Sequence, residues 1–349
     1  MKTKIIKIDE KNPDPALLER AGEVIKKGGL VAFPTETVYG LGGDALNPDS
    51  SRKIYAAKGR PSDNPLIVHI CCFEDIYKIV KNVPESAKKL AQAYWPGPLT
   101  MILEKSDEVP GTTTGGLTTV AVRMPDNLTA LAFIKASGGY IAAPSANTSG
   151  KPSPTLAQYV AEDMDGKIEM ILDGGQVGIG LESTIVDLTD EVPVILRPGY
   201  VTQEMLSAVL GEVDVDQTIL SADSGQAPKA PGMKYRHYAP KGDLTIVEGE
   251  TEAVIAYINE QAETLESQGE KIGVIGTDTT VTKYQIGIVK SVGNREAEET
   301  VARELYRVLR EFDDEDITVI FSESFERKGI GQAIMNRLLK AAGHKVVKV

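Results

Sequence analysis

The feature that most constrains this chain is a break in its apolar rhythm. Between about Asp214 and Lys241 the short apolar segments dissolve into Ser, Gly, Ala and Pro, and regular periodicity resumes only afterwards. A single core does not continue through such a stretch, and 349 residues exceed what one core ordinarily organises. The expected organisation is therefore a first domain over 1–213, a connecting segment over 214–241 and a smaller domain over 242–349.

The two outer parts differ in style. The first alternates strands such as Leu30–Phe33, Pro65–Ile70, Leu99–Leu103 and Thr119–Met124 with loops rich in Gly, Thr and Ser. Asn47 as cap, Pro48 at the first position and Gly59 near the end predict a helix over Pro48–Ala57. The last part alternates short apolar strands with amphipathic helices over Glu252–Gln268, Ala297–Phe312 and Gly331–Ala342, which predicts a three-layer α/β unit with a largely parallel sheet. The connecting segment is not featureless. It carries Ala230-Pro-Gly-Met-Lys-Tyr-Arg-His-Tyr-Ala-Pro240, which places aromatics, a histidine and cations between prolines.

Several function classes drop out. No Walker phosphate loop, H-E-x-x-H, C-x-x-C or G-x-S-x-G is present, and Gly178-Ile179-Gly180 leads into a strand rather than the helix a dinucleotide fingerprint needs. Three histidines make a zinc enzyme or a Ser-His-Asp triad improbable. A net charge of -12 and 5% aromatic residues argue against an extended nucleic-acid surface. The N-terminus lacks a signal-peptide core and no run reaches the length of a membrane helix, so a soluble, cytoplasmic protein is expected. Adjacent Cys71 and Cys72 are expected as a buried pair at a strand end, with a vicinal redox pair as the alternative.

The positive signals are polar residues at strand ends. Lys58-Gly-Arg60-Pro-Ser-Asp-Asn64 sets two cations and an amide in a loop, and His69 closes the strand that follows. In Thr119–Met124, Val120, Val122 and Met124 share one face while Thr119, Ala121 and Arg123 share the other, which suits a pocket wall or a wet edge. Ser145-Ala-Asn147-Thr-Ser-Gly with Ser153 forms a hydroxyl-rich loop, and Ser183-Thr184 and Arg197-Pro-Gly199 repeat the theme. Strict alternation sets Arg197 opposite Val194 and Leu196. Together these residues compose a pocket for polyanionic small molecules.

The Pro34–Gly42 loop, the Lys58–His69 stretch, the Ser145-Ala-Asn147 turn and Glu182-Ser-Thr-Ile-Val-Asp187 through Gly199 resemble the YrdC-like family, and the Pro231–Pro240 motif followed by an α/β tail resembles its two-domain form. The resemblance implies a twisted mixed sheet with a concave pocket, followed by a small three-layer, Rossmann-like domain. It further implies an L-threonylcarbamoyladenylate synthase, which joins L-threonine, bicarbonate and ATP with Mg²⁺ assistance and no organic cofactor. A separate transfer complex would pass the product to tRNA, which the synthase meets only indirectly.

Carried over by residue, the resemblance places threonine among Thr37, His69, Arg123, Ser183 and the Ala143 backbone, with Arg123 on its carboxylate. It places ATP on Arg60, Asn64, Thr119, Ser145, Ser153 and Arg197, and Lys58 beside phosphates or carbamate. Lys58, Arg60 and His69 are the catalytic candidates, no general base stands out beyond His69, and Tyr235 and His237 are the expected lid. Rival expectations are an RNA-binding or ribosome-assembly module without ATP turnover, and a carbamoyltransferase using carbamoyl phosphate.

Overall fold

A computed structural model describes residues 2–220 and 237–349. Within them the first part folds around an eleven-stranded mixed sheet and the last part around a separate five-stranded sheet. The middle of the large sheet sets up the site. Ile67–His69 lies parallel to Thr119–Arg123 and antiparallel to Ile141–Ala143, with His69 in register with Arg123 and Ile67 with Ala143. Leu99–Glu104 joins Thr119–Arg123 on one side and Thr184–Asp187 on the other, and Val194–Arg197 follows.

The alternation read from the sequence sorts the strand faces as expected. Val68, Val120 and Val122 enter the main core, while Ile67 and Ala121 pack with Ile102, Ile185 and Leu196 on the opposite face. Arg197 departs from strict alternation. The register shifts between Ile195 and Arg197, and this bulge pairs Arg197 with Ile185 and brings it onto the Ile185 and Leu196 face, rather than opposite Leu196. That one-residue slip delivers its guanidinium to the pocket.

The helix Pro48–Lys58 forms where its local signals place it. The Asn47 side chain accepts from the Asp49 N–H at 3.0 Å, Pro48 needs no donor there, and Gly59 ends the helix at φ 63°. It runs one residue further than expected, so Lys58 is its last residue rather than part of the following loop.

In the last part all five strands are parallel, in the order Ile288–Ser291, Ile272–Gly276, Val319–Glu323, Asp243–Glu248, Val346–Lys348. Leu244, Ile246 and Ile320 pack with the helices Glu298–Asp314 and Gly329–Ala341, while Val247, Val274 and Phe321 pack with Thr251–Ser267. Two helical layers therefore sandwich one sheet. The final strand, Val346–Lys348, and the edge strand Lys4–Lys7 carry apolar runs too short to stand out in the sequence.

Two features lie where only a connecting segment is expected. Asp214–Val215 adds a parallel strand to Val194–Ile195, and the Ala239 N–H donates to Gly150 O at 2.9 Å. Residues 221–236, including Tyr235, lie outside the described residues. The cysteines are free and sit at a strand end, but they are not a buried pair, because Cys72 is exposed and Cys71 is half-buried where the chain turns into Phe73–Asp75.

The C-terminal helices pack tightly on the first domain. A Cβ on Gly180, which has φ 85°, would fall 2.4 Å from the Arg303 Cα, so only glycine fits that contact. Buried Arg310 reaches across to Asp163 at 2.7 Å and to Pro152 O at 2.7 Å.

Candidate active site

The strand ends of the large sheet surround a polar cleft. Its described lining includes four cations, Lys58, Arg60, Arg123 and Arg197, against one carboxylate, Glu182. Of the residues expected from the sequence, Thr37, Lys58, Arg60, His69, Arg123, Ala143, Ser145, Ser153, Ser183, Arg197 and His237 all line it. Asn64 and Thr119 do not. Asn64 is fully buried behind Arg60, and Thr119 is half-buried at the far end of its strand, about 13 Å from Arg123 at the ordinary rise per residue.

Lys58 is buried at the end of its helix. Its ammonium donates to Ser145 O at 2.5 Å and Asn147 O at 2.6 Å, so it clamps the hydroxyl-rich loop from below. Burial, helped by nearby Arg60, holds its pKa well below the ordinary lysine value. The clamp makes Lys58 first a loop anchor, where the expectation set it beside phosphates. Arg60 donates to Asn64 O at 3.1 Å, and burial lowers its pKa to about 10. The Arg60 Nε and both polar atoms of the Asn64 side chain are buried without hydrogen-bond partners. Such groups are costly unless something arrives to satisfy them.

His69 sits 4% exposed between Arg123 and the edge of Phe33. Its Nδ1 lies 3.2 Å from Ile67 O. A carbonyl only accepts, so this contact requires the hydrogen on Nδ1, and the neutral ring then keeps its lone pair on Nε2. Burial first, then the Arg123 charge, pushes its pKa down to about 3. The imidazole is therefore neutral and weakly basic, which argues against the general-base role considered for it.

Arg123 already faces a carboxylate of its own chain, although its Nη2 makes no hydrogen bond to it. Its Nη1 donates to Thr37 Oγ1 at 2.9 Å and its Nη2 lies 2.7 Å from the Glu36 carboxylate. A substrate carboxylate at Arg123 would share it with Glu36, a residue the sequence reading did not single out. Ser183 bridges Thr100 Oγ1 at 2.8 Å and Arg197 Nη2 at 3.1 Å, while Arg197 Nε donates to Ser183 O at 3.0 Å.

Glu182 is the second residue missed. Its carboxylate accepts from Ser153 Oγ at 2.5 Å, Tyr306 OH at 3.0 Å and Arg337 Nε at 3.1 Å. Burial pushes its pKa up, but Arg337 and Arg197 outweigh that and hold it below the usual carboxylate range. Tyr306 also stacks on Tyr238 at 5.3 Å, and His237 packs against Tyr238 with its Nε2 buried and unpartnered. Both acids lie inside motif segments, Glu36 in Pro34–Gly42 and Glu182 at the head of Glu182–Asp187, so position within the motif is the available signal.

The fold and site define a two-domain α/β protein whose cation-walled cleft is braced by its C-terminal domain. Family models agree. One described as "Telomere recombination" matches residues 23–199, and one described as "Threonylcarbamoyl-AMP synthase, C-terminal domain" matches 201–343. Threonylcarbamoyl-AMP synthases of Bacillus subtilis and Pyrococcus abyssi are each 48% identical to this chain, over 97% and 99% of it and 97% and 100% of their own lengths. The structure of P. abyssi Sua5 complexed with L-threonine superposes with a TM-score of 0.94 at 47% identity, covering 99% of this chain and all of that one. This chain belongs to the threonylcarbamoyl-AMP synthase family.

Proposed function

We propose that this chain condenses L-threonine, bicarbonate and ATP into L-threonylcarbamoyladenylate and pyrophosphate, supplying the threonylcarbamoyl group for tRNA threonylcarbamoyladenosine modification. The observation that carries the reading is a cleft with four cations and one carboxylate in a chain whose near-complete structural match holds L-threonine. An acidic protein with its cations gathered in a cleft fits small anions better than RNA. An RNA-binding module is accordingly not favoured.

In this proposal the threonine amine adds to bicarbonate with loss of water, and a carbamate oxygen attacks the α-phosphate of ATP as pyrophosphate departs. Threonine sits among Thr37, His69, Arg123, Ser183 and the Ala143 backbone. The His69 Nε2 accepts a hydrogen bond from threonine rather than a proton in catalysis. Arg60, Ser145, Ser153 and Arg197 hold ATP from the cleft wall, with the unpartnered Arg60 Nε as a polar anchor, and Asn64 contributes from behind Arg60. Thr119 is reached only by the far end of an extended nucleotide. The cations offset the mutual repulsion of three anions, and fixed placement supplies much of the remaining acceleration.

Magnesium is proposed to arrive with ATP. The one carboxylate of the described lining, Glu182, is already occupied by Ser153, Tyr306 and Arg337, so the cleft offers no protein cage for the ion. His237, which lines the cleft, is proposed to close over it. The segment boundaries at 213 and 241, a cytoplasmic location and transfer by a separate complex belong to the same proposal. None of the described helices is long and apolar enough to cross a membrane.

The test is incubation with ATP, Mg²⁺, labelled bicarbonate and each amino acid in turn. Threonine-dependent release of pyrophosphate with a labelled adenylate is expected. A folded protein that releases neither, but binds RNA with steep salt dependence, would replace this reading.

A further inference from the structure

Outside the cleft, three side-chain donors converge just beyond His69. Cys72 Sγ lies 3.1 Å and Cys71 Sγ 3.5 Å from the same oxygen, Asp75 Oδ2, and the three donor atoms all fall within 4.8 Å of one another. Neighbouring residues on a strand point to opposite faces. Here the strand ends at His69 and Cys72 caps the short helix Phe73–Asp75, so both thiols turn toward one carboxylate.

We propose that Cys71, Cys72 and Asp75 form a zinc site with a water in the fourth position. Tetrahedral zinc, with bonds of about 2.3 Å to sulfur and about 2.0 Å to oxygen, separates its sulfur and oxygen ligands by about 3.5 Å and two sulfurs by about 3.8 Å. The two sulfur–oxygen separations, 3.1 and 3.5 Å, are close to the first of these values, and the two sulfurs lie within 4.8 Å of each other, so the donors need only a modest rearrangement. Two thiolates favour zinc over magnesium or calcium, and their charges with that of Asp75 outweigh the charge of the ion. On binding, both thiols release their protons to solvent as two sulfur–zinc bonds and one oxygen–zinc bond form. Cys72 is exposed and Cys71 and Asp75 are half-buried, which leaves an entry route and room for the water. Tyr140 OH lies 3.5 Å from the other carboxylate oxygen, Oδ1, and holds Asp75 with Oδ2 facing the thiols. None of the three lines the cleft, so the site stands or falls independently of the proposed reaction.

The full-length chain, reduced and stripped of metal, would be titrated with Cd²⁺ as a spectroscopic probe and with Zn²⁺ against a chromophoric chelator. One equivalent is expected, with sulfur-to-cadmium charge-transfer absorption. Cys71→Ser and Cys72→Ser should lose that absorption and the zinc equivalent, and Tyr140→Phe should weaken zinc about 10-fold. In the unmodified chain Zn²⁺ should slow alkylation of both cysteines. That measurement decides the matter even if a variant fails to fold. Alkylation rates indifferent to zinc, or cadmium absorption unchanged in Cys72→Ser, would overturn the site.

Discussion

Arg337 donates from Nε to the Glu182 carboxylate at 3.1 Å, joining residues 155 positions apart. Both side chains are buried, at 0% and 9% exposure. Arg337 also donates to Pro198 O at 2.5 Å, beside Arg197, and Glu182 holds Ser153. The C-terminal domain thus supports the cleft from behind. It touches residues proposed for ATP, through Ser153 and Arg197, more directly than those proposed for threonine.

Breaking that pair should cost stability and should also leave a kinetic trace. Arg337→Met strands the buried Glu182 charge, and about 3–5 kcal/mol of unfolding free energy should be lost. Adding Glu182→Gln should recover part of it in a double-mutant cycle. In whatever fraction stays folded, the KM for ATP should rise more than that for threonine. Equal effects on both substrates would mean the bridge acts on overall folding alone.

Substitution of Arg123 should separate the substrates the other way. Arg123→Lys loses the fork that spans Thr37 and Glu36. The threonine KM should rise about 10-fold, corresponding to one charge-assisted hydrogen bond, with little change for ATP. Initial-rate kinetics with one substrate saturating tests this.

Lys58→Met should leave Ser145 O and Asn147 O without their buried donor. A loss of about 1–3 kcal/mol per stranded group is the ordinary range, and the loop should loosen. Denaturant unfolding and hydrogen exchange across 145–149 are the measurements.

The pH response of stability follows from His69. Its pKa is about 3 in the fold against about 6.5 unfolded, so the unfolded chain binds the extra proton as pH drops. The stability contributed by neutral His69 is fully present above about pH 6.5 and is lost progressively toward pH 3, by about 1.4 kcal/mol per pH unit. His69→Gln should flatten the acid side of the stability profile. NMR should show no His69 titration between about pH 5 and 8, where an ordinary histidine would titrate. A midpoint near 6.5 would refute the buried, neutral imidazole.

Much of the architecture was legible because its signals are local. Asn47, Pro48 and Gly59 specify a helix within a dozen residues. The alternation in Thr119–Arg123 and the amphipathic helices of the last part depend only on neighbours a few positions away. The same holds for the hydroxyls and cations at strand ends, most of which do line the cleft. Alternation alone puts Arg197 on the wrong face, because a bulge is set by pairing with Thr184–Asp187 rather than by its own strand.

The two cores, the strand and helix periods and the polar inventory of the cleft can all be read along the chain, since each follows from local periodicity and side-chain chemistry. What those side chains are free to do emerges only on folding. Arg123 is neutralised by Glu36, Lys58 is spent on a loop, His69 is neutral through burial, and Glu182 is held by helices of the other domain. Charge state and hydrogen-bond occupancy depend on partners distant in the chain and on exclusion of water, and neither has a period that a linear sequence displays.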